Sequence, residues 1–308
     1  MIAVRRRRRQ RPETLAEVAT VTQRLAVLLA AGVTPASAWQ HVAVSTGSAI
    51  AVTVASEGDA AIADAVVHAA VGLDPIETGA WRGLAAAWSV ATQAGAPLAP
   101  CLREYSRSLR DLAQSQRDAR VALAAPVATA RMVMVLPAVG VLFGMALGFN
   151  TLATLFTTPI GWGCLAIGVA LIGAAQRWNR SLVVKATPKE AAPGIGCDLM
   201  AIAVSGGGSL DRARVVLDDA VRRFGLPTID GVDEVLALSR SAGVPAAELL
   251  RSEADEQRRV ARADAQEQAA ALAVRLMLPL GLCILPAFMV LGVFPLLVTV
   301  ISSTVGSF

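Results

Sequence analysis

The chain has 308 residues, room for about two ordinary domains. Apolar residues make up 55% of it and charged residues 17%, against roughly 45–50% and about 25% in soluble globular chains, a shift that points to a membrane protein. One Tyr and seven Phe argue against a strand-rich fold, and the abundance of Ala, the strongest helix former, argues for an all-α one.

The basic residues are nearly all Arg, with Lys185 and Lys189 the only lysines, the bias of a GC-rich genome. Cys101, Cys164, Cys197 and Cys283 form no C-x-x-C pair and have no His at ligand spacing, so no metal site is expected. Cys164 and Cys283 lie in apolar runs, where Cys behaves as a small hydrophobe. Cys101 and Cys197 fall in segments expected to face a reducing cytoplasm, so no disulfide is expected either.

Residues 1–14 read as a basic tail, with Arg5 to Arg9 and Arg11 in close succession. Such a run anchors a chain to an anionic leaflet, at about 1 kcal/mol per Arg near the surface. It also imitates the start of a cleaved signal peptide, with residues 25–33 as the apolar region. Glu13, Glu17 and Arg24 interrupt that pattern, and the basic run lies too far from the apolar one. A nucleic-acid-binding tail is disfavoured because the next hundred residues carry no further basic stripe.

Residues 15–130 read as a first cytoplasmic helical domain. Helical periodicity stops at Gly32, Thr34 stands in a capping position, and Pro35 follows at a first helical position. A later helix ends at Gly95, and Pro97 opens a long helix through Leu102, Tyr105 and Leu109. Residues 132–176 then contain no Asp, Glu, Lys or Arg. Forty-five uncharged residues fit two passes of about 20 each, at 131–153 and 160–177, with a Thr-, Pro- and Gly-bearing turn near 154–161. Residues 178–196 read as a linker with Pro188 and Pro193, and 197–274 as a second, shortened cytoplasmic helical domain. A third pass is expected at 276–303, inside a charge-free run that begins after Arg275.

Charge placement orients the whole. Every basic segment falls on one side of a three-pass chain, and only uncharged segments fall on the other. The N-terminus and both helical domains are therefore expected in the cytoplasm, with the C-terminus outside the plasma (inner) membrane.

The second domain repeats the first. Gly207 takes the place of Gly32, and Ser209 that of Thr34. Ala94-Gly95-Ala96-Pro97 matches Ala242-Gly243-Val244-Pro245, and Leu102-Arg103 matches Leu250-Arg251. The second copy lacks the stretch at about 47–79. The repeat unit is thus a helical bundle, a long helix and a membrane helix.

This duplicated Gly-turn bundle resembles the type II secretion system F family, the inner-membrane platform proteins of type II secretion and type IV pilus systems, with the Tad branch nearest. The resemblance covers about residues 20–304 and rests on Gly32, Gly95 with Pro97, Gly207, and Gly243 with Pro245. It implies a non-enzymatic organiser that couples a cytoplasmic secretion ATPase to extraction of pilin or pseudopilin subunits. A second platform protein or further copies of the chain would complete the assembly.

No catalytic, cofactor-binding or metal-binding residue is expected. Gly206-Gly207-Gly208-Ser209 lacks the lysine of a phosphate-binding loop. His41 and His68 have no partner set and read as surface residues, and no serine stands on a nucleophile elbow. Gly140, Gly144 and Gly148 give G-x-x-x-G twice, a spacing for close helix packing within the chain's own bundle or at a dimer seam. Pro137, Pro279, Pro286 and Pro295 read as kinks in membrane helices. The long helices carry dense charge. Arg103, Arg107, Arg110, Arg251, Arg258 and Arg259 are either solvated and paired at i,i+4 or a docking surface for the ATPase and neighbouring subunits. A permease subunit using an external ATPase is the alternative function. It is weakened by spans that hold no ionisable group.

Overall fold

The computed structural model describes residues 15–58, 62–146, 156, 159–186, 193–227, 229, 231–294 and 297. Every regular element among them is helical. The basic tail, the turn before Pro159, Gly148, Pro295, residues 187–192 of the linker and the C-terminal segment lie outside the described residues.

The first repeat supplies α1 (Leu15–Ala30), α2 (Pro35–Thr46), α3 (Ala49–Glu57), α4 (Ile62–Ala69), α5 (Pro75–Ala94) and the long α6 (Leu98–Ala146). After α7 (Pro159–Ala186) the second supplies α8 (Ile195–Ser205), α9 (Leu210–Phe224), α10 (Val232–Ala242) and the long α11 (Ala246–Arg275). Helices α3 and α4 are formed by the stretch that the second copy lacks. The chain divides into two compact units, one of residues 1–116 with 189–263 and one of 117–188 with 264–308.

In the first unit the two repeats share a single core rather than building one each. Its hub is α5, in which every residue from Gly83 to Ala91 is buried. A helix apolar and covered on all sides belongs in the middle of a bundle. Here α1 and α4 of its own repeat and α8 and α9 of the other pack around it. The small side chains of Ala85, Ala86, Ala87 and Ala91 let those neighbours approach closely. Trp39, Trp81 and Trp88 fill the first repeat's share, with the Trp39 and Trp88 rings 6.1 Å apart. From the second repeat, Leu199, Met200, Leu217 and Leu250 are among the largest fully buried side chains.

The glycine turns end helices in the left-handed conformation that closes the last turn. Gly95 after α5 has φ 70° and Gly243 after α10 has φ 67°. Gly32 and Gly207 also have positive φ, 85° and 81°. Ser209 caps α9, its hydroxyl accepting from the Arg212 amide at 3.2 Å. Thr34 stands at the corresponding place before α2 but donates its hydroxyl to Ser37 Oγ instead.

In the second unit α7 packs against a broken helical run that follows α11. That run passes through Met277–Pro279, a π turn at Leu280–Ile284, an α turn at Leu285–Phe288 and a second π turn at Met289–Val293. Pro279 and Pro286 fall at its irregularities, where a missing N–H interrupts the hydrogen-bond ladder. Ala175 of α7 is buried with Cys283 and Ile284, and Gly168 leaves room for the Leu291 side chain. By length and composition one stretch among the described residues, Ala246–Val293, is long and apolar enough to cross a membrane.

Candidate interaction site

The polar chemistry of the first unit gathers where the long helices α6 and α11 meet α8. Asp198 is the only charged residue of α8 and is largely buried. Arg258 of α11 reaches it with Nη1 at 2.7 Å from Oδ2, and Ser108 of α6 donates to the same oxygen at 3.4 Å. Arg258 also holds Asp255, at 2.6 Å. About two turns back along α11, Arg251 Nε lies 3.1 Å from a carboxylate oxygen of Glu104, and about one turn on, Arg262 lies 3.0 Å from Asp111. These contacts clamp α6 of the first repeat to α8 and α11 of the second. A further cross-repeat pair, Arg223 with Asp64 at 2.7 Å, ties α9 to α4.

Burial raises the Asp198 carboxyl above its ordinary value, and the neighbouring Arg258 charge only partly offsets that. Burial also works against the Arg258 charge, but Asp198 and Asp255 outweigh it and the net displacement is upward. Two thiols border the cluster. Burial, with Glu104 adding to it, pushes Cys101 up to about 11, and burial, with Glu253 and Asp198 adding to it, pushes Cys197 up to about 11. Thiols held so far above neutral pH are poor nucleophiles. Tyr105 is likewise pushed up by burial, and its hydroxyl donates to the Ala80 carbonyl at 2.6 Å.

The six arginines singled out by sequence part company here. Arg251 and Arg258 are consumed inside the chain, and Arg259 pairs on the surface with Glu256, three residues before it. Arg103, Arg107 and Arg110 stay exposed on α6, with no carboxylate at ion-pair distance among the described residues. The repeat accounts for the difference. By the Gly32–Gly207 match, the place of Asp198 is held in the first repeat by Gln23, which accepts from Ser106 Oγ at 2.7 Å. By the Arg103–Arg251 match, the place of Asp255 is held by Arg107, three residues before Arg110. The first copy thus keeps the arginine and has neither of its acids.

Sequence reasoning missed Asp198 and Gly206. The first carried a signal, a lone acid within the apolar IGCDLMAIAVS. The second did not. Gly206 lies in an ordinary helical conformation at the end of α8, but any Cβ there would collide with the Ala94 carbonyl at the end of α5. The glycine turn of one repeat is seated on the other. Of the packing glycines, Gly140 and Gly144 lie within α6. His41 and His68 are exposed, and no group of His, Cys, Asp or Glu that could hold a metal occurs among the described residues.

Residues 21–146 match the family model for Type II secretion system (T2SS), protein F. The match runs from α1 through the first bundle to the end of α6. Neither the curated proteins nor the solved structures give a match.

Proposed function

We propose, since the chain carries a type II secretion system protein F domain over residues 21–146, that it is the inner-membrane platform protein of a Tad pilus, type IV pilus or type II secretion assembly machine. The matched segment carries this reading, because it runs from within α1 through the first repeat's helices to the apolar helix that leaves them. The exposed side chains of that helix support a lipid setting. Met132, Val135, Val139, Leu142 and Met145 follow helical spacing along one face, a surface that water would not favour. In this reading three helices, at 131–153, 160–177 and 276–303, cross the membrane. The N-terminus and the bundle face the cytoplasm, and the C-terminus lies outside.

The platform performs no chemistry itself. A cytoplasmic ATPase supplies the work, and pilin or pseudopilin subunits are what is moved out of the bilayer. A second platform protein or a second copy completes the assembly. The bundle's part is mechanical: α6 and α11 leave it clamped side by side by Glu104–Arg251 and Asp111–Arg262.

The glycine turns that set the angles of those helices provide the test. A β-branched residue in the left-handed region costs about 1–2 kcal/mol. Gly95→Val and Gly243→Val are expected to leave insertion intact while abolishing filament assembly, read as surface filaments or secreted pilin at matched protein levels. Normal filaments in both variants, and in a strain deleted for the gene, would rule the platform role out.

A further inference from the structure

Arg103, Arg107 and Arg110 stand at i, i+4 and i+7, one line along about 10 Å of α6. Like charges at this spacing repel, and the two acids of the same helix within a turn of Arg107, Glu104 and Asp111, are turned to Arg251 and Arg262. The arginines of α11 in the same unit, Arg251, Arg258, Arg259 and Arg262, are each answered by a carboxylate. The first repeat holds Gln23 and Arg107 where the second holds two of those acids. The result is a cationic line on a helix whose other face is locked in the core.

We propose that Arg103, Arg107 and Arg110 form a docking line for an acidic helix of a partner protein. Carboxylates at i, i+4 and i+7 of such a helix would meet the three guanidinium groups in register, each able to form paired N–H···O bonds. A lipid surface fits less well. A helix lying on a membrane must lend it an apolar face, and here Leu102, Tyr105 and Leu109 are buried in the bundle. Nucleic acid fits less well too, because stacking needs exposed aromatic rings and those of this unit, Trp39, Trp81, Trp88, Tyr105 and Phe224, are all buried. The chain's own tail has the wrong sign, with six arginines before residue 12. The docking line does not depend on which machine the chain serves.

The test uses the full chain in nanodiscs of zwitterionic phosphatidylcholine. The probe is a fluorescent, stapled helical peptide with Glu at i, i+4 and i+7, read by anisotropy at low salt. Binding is expected to weaken at least tenfold in the triple variant Arg103→Gln/Arg107→Gln/Arg110→Gln. It should stay within twofold of wild type in Arg212→Gln, which removes an exposed charge elsewhere, and be partly restored by three lysines. Circular dichroism and thermal melting of the triple variant should match wild type. Two parallel arms use phosphatidylglycerol vesicles and a short DNA duplex. Equal peptide binding by the triple variant would overturn the proposal. So would a stronger dependence on the three arginines in either parallel arm.

Discussion

Helices α6 and α11 begin alike, each after a left-handed glycine and a proline, and each carries arginines at matching places. In α11 those arginines are structural. Arg258 holds Asp198 and Asp255 of its own repeat, and Arg251 holds Glu104 of the other, which staples the two repeats together. In α6, Arg103, Arg107 and Arg110 face solvent with no carboxylate at ion-pair distance among the described residues. Charge density along a helix therefore says little about use, because the fate of each arginine is set by its acids. Replacing two acids by Gln23 and Arg107 turns a joint into an open surface.

The largest way to break this contrast is at Arg258. With Arg258→Met, Asp198 would stay buried with its ionic partner gone, at an expected cost of about 3–5 kcal/mol. Denaturant unfolding of the detergent-solubilised chain, followed by amide exchange in α8 and α11, reads the loss. The double variant Asp198→Leu/Arg258→Met should recover much of it. If the single variant unfolds like wild type, the pair is not a joint.

Next in size is the seat of one repeat on the other. Gly206→Val would force a side chain against the Ala94 carbonyl, an overpacking worth about 1–3 kcal/mol. A variant with unchanged melting would mean that α5 and α8 do not approach as closely as described.

The pH dependence sharpens the comparison further. Asp198 titrates above its ordinary 3.8 in the folded chain, so the folded state takes up this proton first. Between the raised value and 3.8, stability from this group rises as pH falls, and above the raised value it is lowest. Asp198→Asn removes that dependence. The stability difference between wild type and variant should therefore move in favour of wild type on acidification through that window. A move the other way would mean that Arg258 outweighs burial.

The smallest effect belongs to α6. Arg107→Asp would restore to Arg110 an acid three residues before it, as Asp255 stands to Arg258. Stability should change by no more than about 0.5 kcal/mol. The same substitution should abolish binding of the acidic helical probe, so stability and docking are expected to separate on α6 and to coincide on α11.

The all-helical class was legible because it depends on local signals: Ala content, apolar periodicity and glycines set just past helix ends. The resemblance to the type II secretion protein F family was legible because those signals recur in order. The sorting of the arginines was not, because their acids are distant in sequence. Glu104 and Arg251 are 147 positions apart, and Asp198 and Arg258 are 60 apart. Nor could helix periodicity reveal that α5 serves both repeats. An Ala-rich helix buried on every side offers no polar face to orient it, so its neighbours follow only from tertiary packing. Gly206 was hidden for a related reason, since nothing in its own backbone requires glycine.

The shared core has a consequence for synthesis. The ribosome completes α5 at Ala94 and does not begin α8 until Ile195, about a hundred residues later. At roughly 5–20 residues per second, that leaves the hub helix without its second-repeat cover for about 5–20 s. During that interval residues 117–188, the first stretch of the other unit, are being made. The nascent first repeat must wait with an apolar seat open, which makes it a natural client for a holding chaperone. Translation speed across residues 95–195 then becomes a determinant of yield.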